Sequence, residues 1–164
     1  MEQAVLLNLL KMRKLQDINT LIGENMDREI VEKLMETAIE QLKYSYAPYS
    51  NFRVGAALIT YEDEIYTGCN IENASYTPTN CAERTAFFKA VSEGKTKFKA
   101  IAIVGGKDGV LNSYTAPCGV CRQVMMEFCD PKEFKIILGI SKDDYKIYTL
   151  EELLPLGFGI SNVI

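Results

Sequence analysis

The run Ala82-Glu83-Arg84-Thr85-Ala86-Phe87-Phe88-Lys89-Ala90-Val91-Ser92, followed by Gly94, leads into Phe98-Lys99-Ala100-Ile101-Ala102-Ile103-Val104, and this succession sets the fold class. The first run reads as a helix, with Gly94 free to take the left-handed conformation that ends one. The second, apolar at nearly every position, reads as a buried strand. Downstream the pattern repeats. A loop runs from Val104 to Pro117, a helix covers about Gly119 to Phe128, and a strand follows from Phe134 to Ile140. Lys146 to Leu150 reads as a further strand and Glu151 to Leu154 as a short helical turn. Upstream, Phe52 to Thr60 and Glu64 to Ile71 are β-type runs divided by the polar Glu62-Asp63, an expected hairpin. The helix before them starts at Asp27, a good N-cap. It places Ile30, Val31, Leu34, Met35, Ala38, Ile39 and Leu42 at helical spacing until Ala47-Pro48-Tyr49-Ser50 stops it. The order α-β-β-α-β-α-β-β implies an α/β domain, a three-layer α/β/α arrangement around a mixed sheet.

At 164 residues, 48% of them hydrophobic, the chain has the size and core of one ordinary domain and needs no disulfides to hold it together. Residues 1–25 stand apart as an N-terminal extension, a short amphipathic helix or a frayed leader, and residues 26–164 make up the domain. The 22 acidic residues against 18 basic ones leave a net charge of −4, without the basic footprint of a polynucleotide binder, so no nucleic acid is expected as a partner. No apolar run approaches the roughly 20 residues that span a bilayer, and no membrane partner is expected. The best candidate, Ala4 to Leu10, contains Asn8 and is followed by Lys11, Arg13 and Lys14, the wrong order for a secretory signal. The five cysteines therefore read as reduced thiols of a cytoplasmic protein. Histidine is absent altogether. That excludes Ser-His-Asp and Cys-His nucleophiles and every zinc site with a histidine ligand, leaving metal chemistry to cysteine and carboxylate.

Two segments carry the chemistry: Cys81-Ala82-Glu83-Arg84 and Pro117-Cys118-Gly119-Val120-Cys121-Arg122. Each opens an expected helix after a loop, with Pro117 suited to a first helical turn. Unpaired N–H groups and the positive end of the helix dipole favour thiolate at Cys81, Cys118 and Cys121. If the two helices abut, the three sulfurs converge. Three protein ligands leave a tetrahedral Zn²⁺ one open position, the catalytic arrangement, and Glu83 is placed to face it as a proton carrier. Three thiolates on Zn²⁺ carry a net charge of −1, which Arg84 and Arg122 beside the ligands are expected to offset. A Cys-x-x-Cys also occurs as a redox pair or as half of a structural zinc site. Here it comes late in the chain, and no fourth cysteine fits, since Cys69 and Cys129 read as ordinary buried thiols.

Cys-x-Glu followed by Pro-Cys-x-x-Cys is the signature of zinc deaminases. Adding Tyr46-Ala47-Pro48-Tyr49-Ser50, Phe52-Arg53-Val54-Gly55-Ala56-Ala57 and Gly68-Cys69-Asn70-Ile71-Glu72-Asn73-Ala74, the chain resembles the small cytidine deaminases from Met26 to its C-terminus. The resemblance implies hydrolytic deamination of cytidine and 2′-deoxycytidine to uridine and 2′-deoxyuridine, with release of ammonia, in pyrimidine salvage. Zinc-activated water would attack C4 of the base. Glu83 would protonate N3 and pass a proton to the leaving amine, while the backbone at Cys81 and Ala82 would hold the base carbonyl. Asn70 and Glu72 match the ribose-binding pair, an amide and a carboxylate suited to a 3′-hydroxyl. Phe52 matches an aromatic that packs on the base. Tyr76 and Phe158 match residues contributed across a subunit contact, and the resemblance implies a homotetramer with shared active sites. Two other readings stay open. One is a deaminase of a related aminonucleoside, against which Asn70 and Glu72 argue. The other is a non-catalytic cysteine-zinc or redox module, which has no use for Glu83.

Overall fold

The computed structural model describes residues 26–163, so the extension over residues 1–25, read above as a short amphipathic helix or a frayed leader, lies outside the described residues. Helix α1 (Arg28–Gln41) opens where Asp27 Oδ1 accepts a hydrogen bond from the Glu29 N–H at 3.0 Å, and it ends in a 3-10 turn over Leu42–Tyr44. Strands β1 (Phe52–Thr60) and β2 (Ile65–Cys69) form the expected hairpin. Helix α2 (Ala82–Ser92), strand β3 (Phe98–Lys107), helix α3 (Gly119–Phe128) and strand β4 (Lys135–Gly139) then alternate. Strand β5 (Tyr145–Thr149) runs directly into the one-turn helix α4 (Leu150–Leu153), whose Thr149–Glu152 capping box satisfies its first N–H groups. A 3-10 turn over Ile160–Asn162 closes the described chain.

The five strands lie in the order β2-β1-β3-β4-β5, antiparallel throughout except for the β3–β4 pair. A parallel pair needs a crossover, and α3 provides it. Alternate residues sort the two faces of the sheet. Ala57 and Ile59 of β1, with Ala100, Ala102 and Val104 of β3, pack with Val31, Leu34, Met35 and Ala38 of α1. Ala56 and Leu58, with Ile101, Ile103, Ile136 and Leu138, pack instead with Phe87 of α2 and Met125 of α3. This is the expected α/β/α arrangement, with α1 on one face and the two helices that carry the cysteines on the other. Gly68 allows α2 to lie tightly on β2: a Cβ there would stand 2.1 Å from the Ala82 carbonyl oxygen. Among the described residues no helix is long and apolar enough to cross a membrane.

Three sequence expectations need correction. β3 does not stop at Val104 but continues through Gly105, Gly106 and Lys107, which pair with Val54, Arg53 and Phe52. The glycines are there for clearance, since a Cβ at Gly106 would stand 1.8 Å from the Val110 carbonyl oxygen. β2 ends at Cys69 rather than Ile71, because Ile71 leaves the ladder to bridge Tyr46 and Asn80. Cys69 is only half-buried, its Sγ 3.4 Å from the Tyr44 carbonyl oxygen, whereas Cys129 is buried as expected.

Candidate active site

Cys81 and Cys118 are the N-cap residues of α2 and α3, both in extended backbone conformation, and Cys121 stands one turn into α3. Pro117 is therefore one residue outside the helix rather than in its first turn. The Sγ atoms are 3.8 Å apart for Cys81 and Cys118 and 3.5 Å apart for Cys118 and Cys121, and all three lie within 4.8 Å of one another. Tetrahedral zinc with Zn–S bonds of about 2.3 Å separates its sulfurs by about 3.8 Å. The donor set fits zinc. Cys118 is exposed and Cys121 buried, so the cluster opens to the surface on the Cys118 side.

The electrostatics divide the roles. A hydrogen bond with Cys121, helped by the guanidinium of Arg84, lowers the Cys81 thiol to about 5. Sharing that hydrogen bond, together with burial, holds the Cys121 thiol well above its ordinary range. Metal binding must displace that proton. Arg84 Nη2 lies 3.7 Å from Cys81 Sγ and donates to the Thr79 carbonyl at 3.3 Å, while its buried Nε has no hydrogen-bond partner among the described residues. Arg122 does not join it, contrary to the sequence expectation. Its guanidinium donates to the Pro117 carbonyl at 2.8 Å and to the Leu153 carbonyl at 2.6 Å. Glu83, 4% exposed in the first turn of α2, has its pKa raised to about 7 by burial first and by the nearby Cys81 charge as well. Ala82 beside it is fully buried.

A second group of residues lies at the sheet edge. Asn70 is just past β2, and its side chain ties down the start of β1: Oδ1 accepts from the Val54 N–H and Nδ2 donates to the Phe52 carbonyl, both at 2.8 Å. Glu72 accepts the Tyr49 N–H at 2.8 Å, the Ser50 N–H at 3.2 Å and the Ser50 hydroxyl. The Ser50 hydroxyl and then the Tyr49 N–H hold its carboxyl below the ordinary range. Glu72 and Tyr76 line a hollow of about 360 Å³ with Tyr49, Ser50 and Thr79. Phe52 opens β1 and is partly exposed. Tyr76 is 74% exposed at a φ of 60°, and Phe158, 62% exposed, stands near the end of the chain.

Residues 28–137 match the protein family described as the cytidine and deoxycytidylate deaminase zinc-binding region. The chain belongs to this family. Cytidine deaminase from Sporosarcina psychrophila is 48% identical over 128 residues, which cover 78% of this chain and 90% of that one. The Halalkalibacterium halodurans cytidine deaminase is 47% identical over 133 residues, covering 81% and 95%. Among solved structures, the Burkholderia pseudomallei cytidine deaminase superposes with a TM-score of 0.70 at 44% identity, covering 77% of this chain and 97% of that one.

As a cytidine deaminase family member the chain is a zinc-binding hydrolase. Cys81, Cys118 and Cys121 are its potential metal site among the described residues. Cys81, Ala82, Glu83, Arg84, Cys118 and Cys121 come together where α2 and α3 begin, and Glu72 and Tyr76 meet at the hollow. Sequence reasoning gave no role to Ser50 and Thr79, which also line it. Ser50 lay inside a recognised motif, yet only the folded chain shows its hydroxyl and N–H on Glu72.

Proposed function

We propose that this chain deaminates cytidine and 2′-deoxycytidine hydrolytically, as a cytoplasmic homotetramer whose subunits complete one another's sites. The observation that carries the reading is a buried carboxyl two residues from a sulfur that belongs to a triad at tetrahedral zinc spacing. When bound, zinc supplies a Lewis acid that makes water nucleophilic near neutral pH. Glu83 takes a proton from the attacking water, delivers it to N3 as the new bond forms at C4, and moves a second proton to the exocyclic amine. The C4–N bond then breaks, ammonia leaves, and the uracil carbonyl remains. A pKa near 7 suits a group that must both accept and release a proton at neutral pH. Arg84, against Cys81, offsets the negative charge that three thiolates bring.

The backbone at Cys81 and Ala82 receives the base carbonyl, and Phe52 packs on the base. Glu72, ionised and fixed by three hydrogen bonds, holds the ribose together with Asn70. Tyr76 and Phe158 serve the site of a neighbouring subunit. Their exposure supports this, as does the full exposure of Leu156, because large apolar side chains left in solvent by one chain mark a contact surface. None of the five cysteines is in a disulfide, in keeping with a reducing compartment. Metal analysis, light scattering and a cytidine absorbance assay on one preparation test the reading. The expected result is one zinc per chain, a tetramer and cytidine turnover. Turnover undiminished in protein without zinc refutes the mechanism, and a fully active monomer refutes the shared site.

A further inference from the structure

Helix α3 begins with two of the sulfur ligands, and its next residues form a seat for the C-terminal segment. Arg122 donates to the Leu153 carbonyl at 2.6 Å, and Gln123 Nε2 donates to the Phe158 carbonyl at 2.8 Å. Met126, three residues beyond Gln123 and so on the same side of the helix, lies under the two glycines that flank Phe158. A Cβ on Gly157 would meet its Sδ at 3.1 Å, and one on Gly159 would meet its Cε at 3.1 Å. The Gly159 N–H in turn donates to Asn162 Oδ1 at 2.8 Å. The side chains of Leu153 and Leu154 anchor the start of this strap on the core, and beyond them the strap to Asn162 is held through its main chain. The Phe158 side chain, 62% exposed, has little packing of its own to aim it.

We propose that Gln123 is a positioning residue: by holding the Phe158 carbonyl, it fixes the direction in which the ring projects toward the neighbouring subunit's base. This rests on the base-covering role given to Phe158 above. Gln123 is itself exposed, and the bond to the strap is its one side-chain hydrogen bond among the described residues. The same helix therefore holds metal ligands for one site and orients a side chain for another.

Gln123→Met keeps the side-chain length and the helix preference and removes the donor. We expect KM for cytidine to rise about threefold to tenfold, the range of one hydrogen bond, with kcat within about twofold and zinc content unchanged. Amide exchange over Gly157–Val163 should quicken. In a Phe158→Ala background, Gln123→Met should raise KM no further, because its effect runs through that ring. Loss of zinc, effects that add in full, or unchanged amide exchange overturns the proposal. If Phe158→Ala raises KM and Gln123→Met does not, the clamp alone is wrong. If Phe158→Ala itself leaves KM unchanged, the base-covering role fails and takes this proposal with it.

Discussion

Replacing Glu83 with glutamine separates the two properties this side chain carries, and it should move them in opposite directions. The amide keeps the shape but cannot accept a proton and pass it on. Turnover should fall by on the order of 10²–10⁴, the contribution of one positioned acid/base, which is about 3–5 kcal/mol of barrier. Zinc content should stay at one per chain, since Glu83 is not among the three sulfur ligands. Stability should rise. Burial lifts the Glu83 pKa from the ordinary 4.5 to about 7, so holding it ionised at pH 8 costs roughly 3 kcal/mol, at ~1.36 kcal/mol per pH unit. The sign follows from the raised value: below pH 4.5 the carboxyl is neutral in both states and there is no cost. The cost grows as pH climbs through 7, and it is complete above that. Glutamine never incurs it. Urea titrations of zinc-free wild type and Glu83→Gln at pH 6 and pH 8 should therefore show an advantage for the variant that widens with pH, while the cytidine assay on the zinc-loaded proteins shows the loss of rate. A variant with near-normal turnover would assign the proton to another group. A variant less stable than wild type at pH 8 would refute the burial argument.

Cys81→Ala, Cys118→Ala and Cys121→Ala should each abolish zinc and turnover together by metal analysis and assay, whereas Cys129→Ala, remote from the sulfur triad, should keep both. Glu72→Gln removes the charge that Ser50 and Tyr49 stabilise; steady-state kinetics should show KM for cytidine raised by about tenfold or more, as for a hydrogen bond to a charged group, with zinc unchanged. A chain starting at Met26 should bind zinc, assemble and deaminate cytidine like the full chain, because every proposed site residue lies beyond that point. A folded truncation that loses its assembly or most of its turnover by light scattering and assay would make the leader part of the working enzyme.

The sequence was most legible where burial and backbone agree. β1, β3 and β4 show largely apolar runs, with Arg53, Lys99 and Lys135 confined to their starts, because both faces are covered, and α1 shows its inward stripe and its Asp27 cap. It was least legible where a side chain acts on a distant main chain. Gly105 and Gly106 read as loop because glycine weakens strands, yet here they continue β3, Gly106 letting the chain at Val110 pass close by and Gly105 leaving room for the side chains of Thr115 and Phe52. Asn70 read as a strand residue pointing at substrate, and in the fold its side chain first secures the start of β1. Arg122 sits beside a ligand in the sequence, but the helix turns its guanidinium toward Pro117 and Leu153. Spacing shows which residues share a helical turn. It does not show which carbonyl from another part of the chain arrives beside them.

The order of the sheet also bears on when the site comes into being. β1–β2 and β4–β5 join neighbours in the chain and close short loops, whereas β1–β3 and β3–β4 must each enclose a helix before they pair. Cys81 precedes β3, and Cys118 and Cys121 follow it. The central strand thus lies between the ligands in the chain, and the β1–β3 and β3–β4 pairings that flank it, more sequence-distant than either hairpin, set the two helices carrying the sulfurs on one face of the sheet. A nascent or partly unfolded chain can complete both hairpins and still present scattered thiols, so high-affinity metal capture reports a finished sheet rather than helping to begin one.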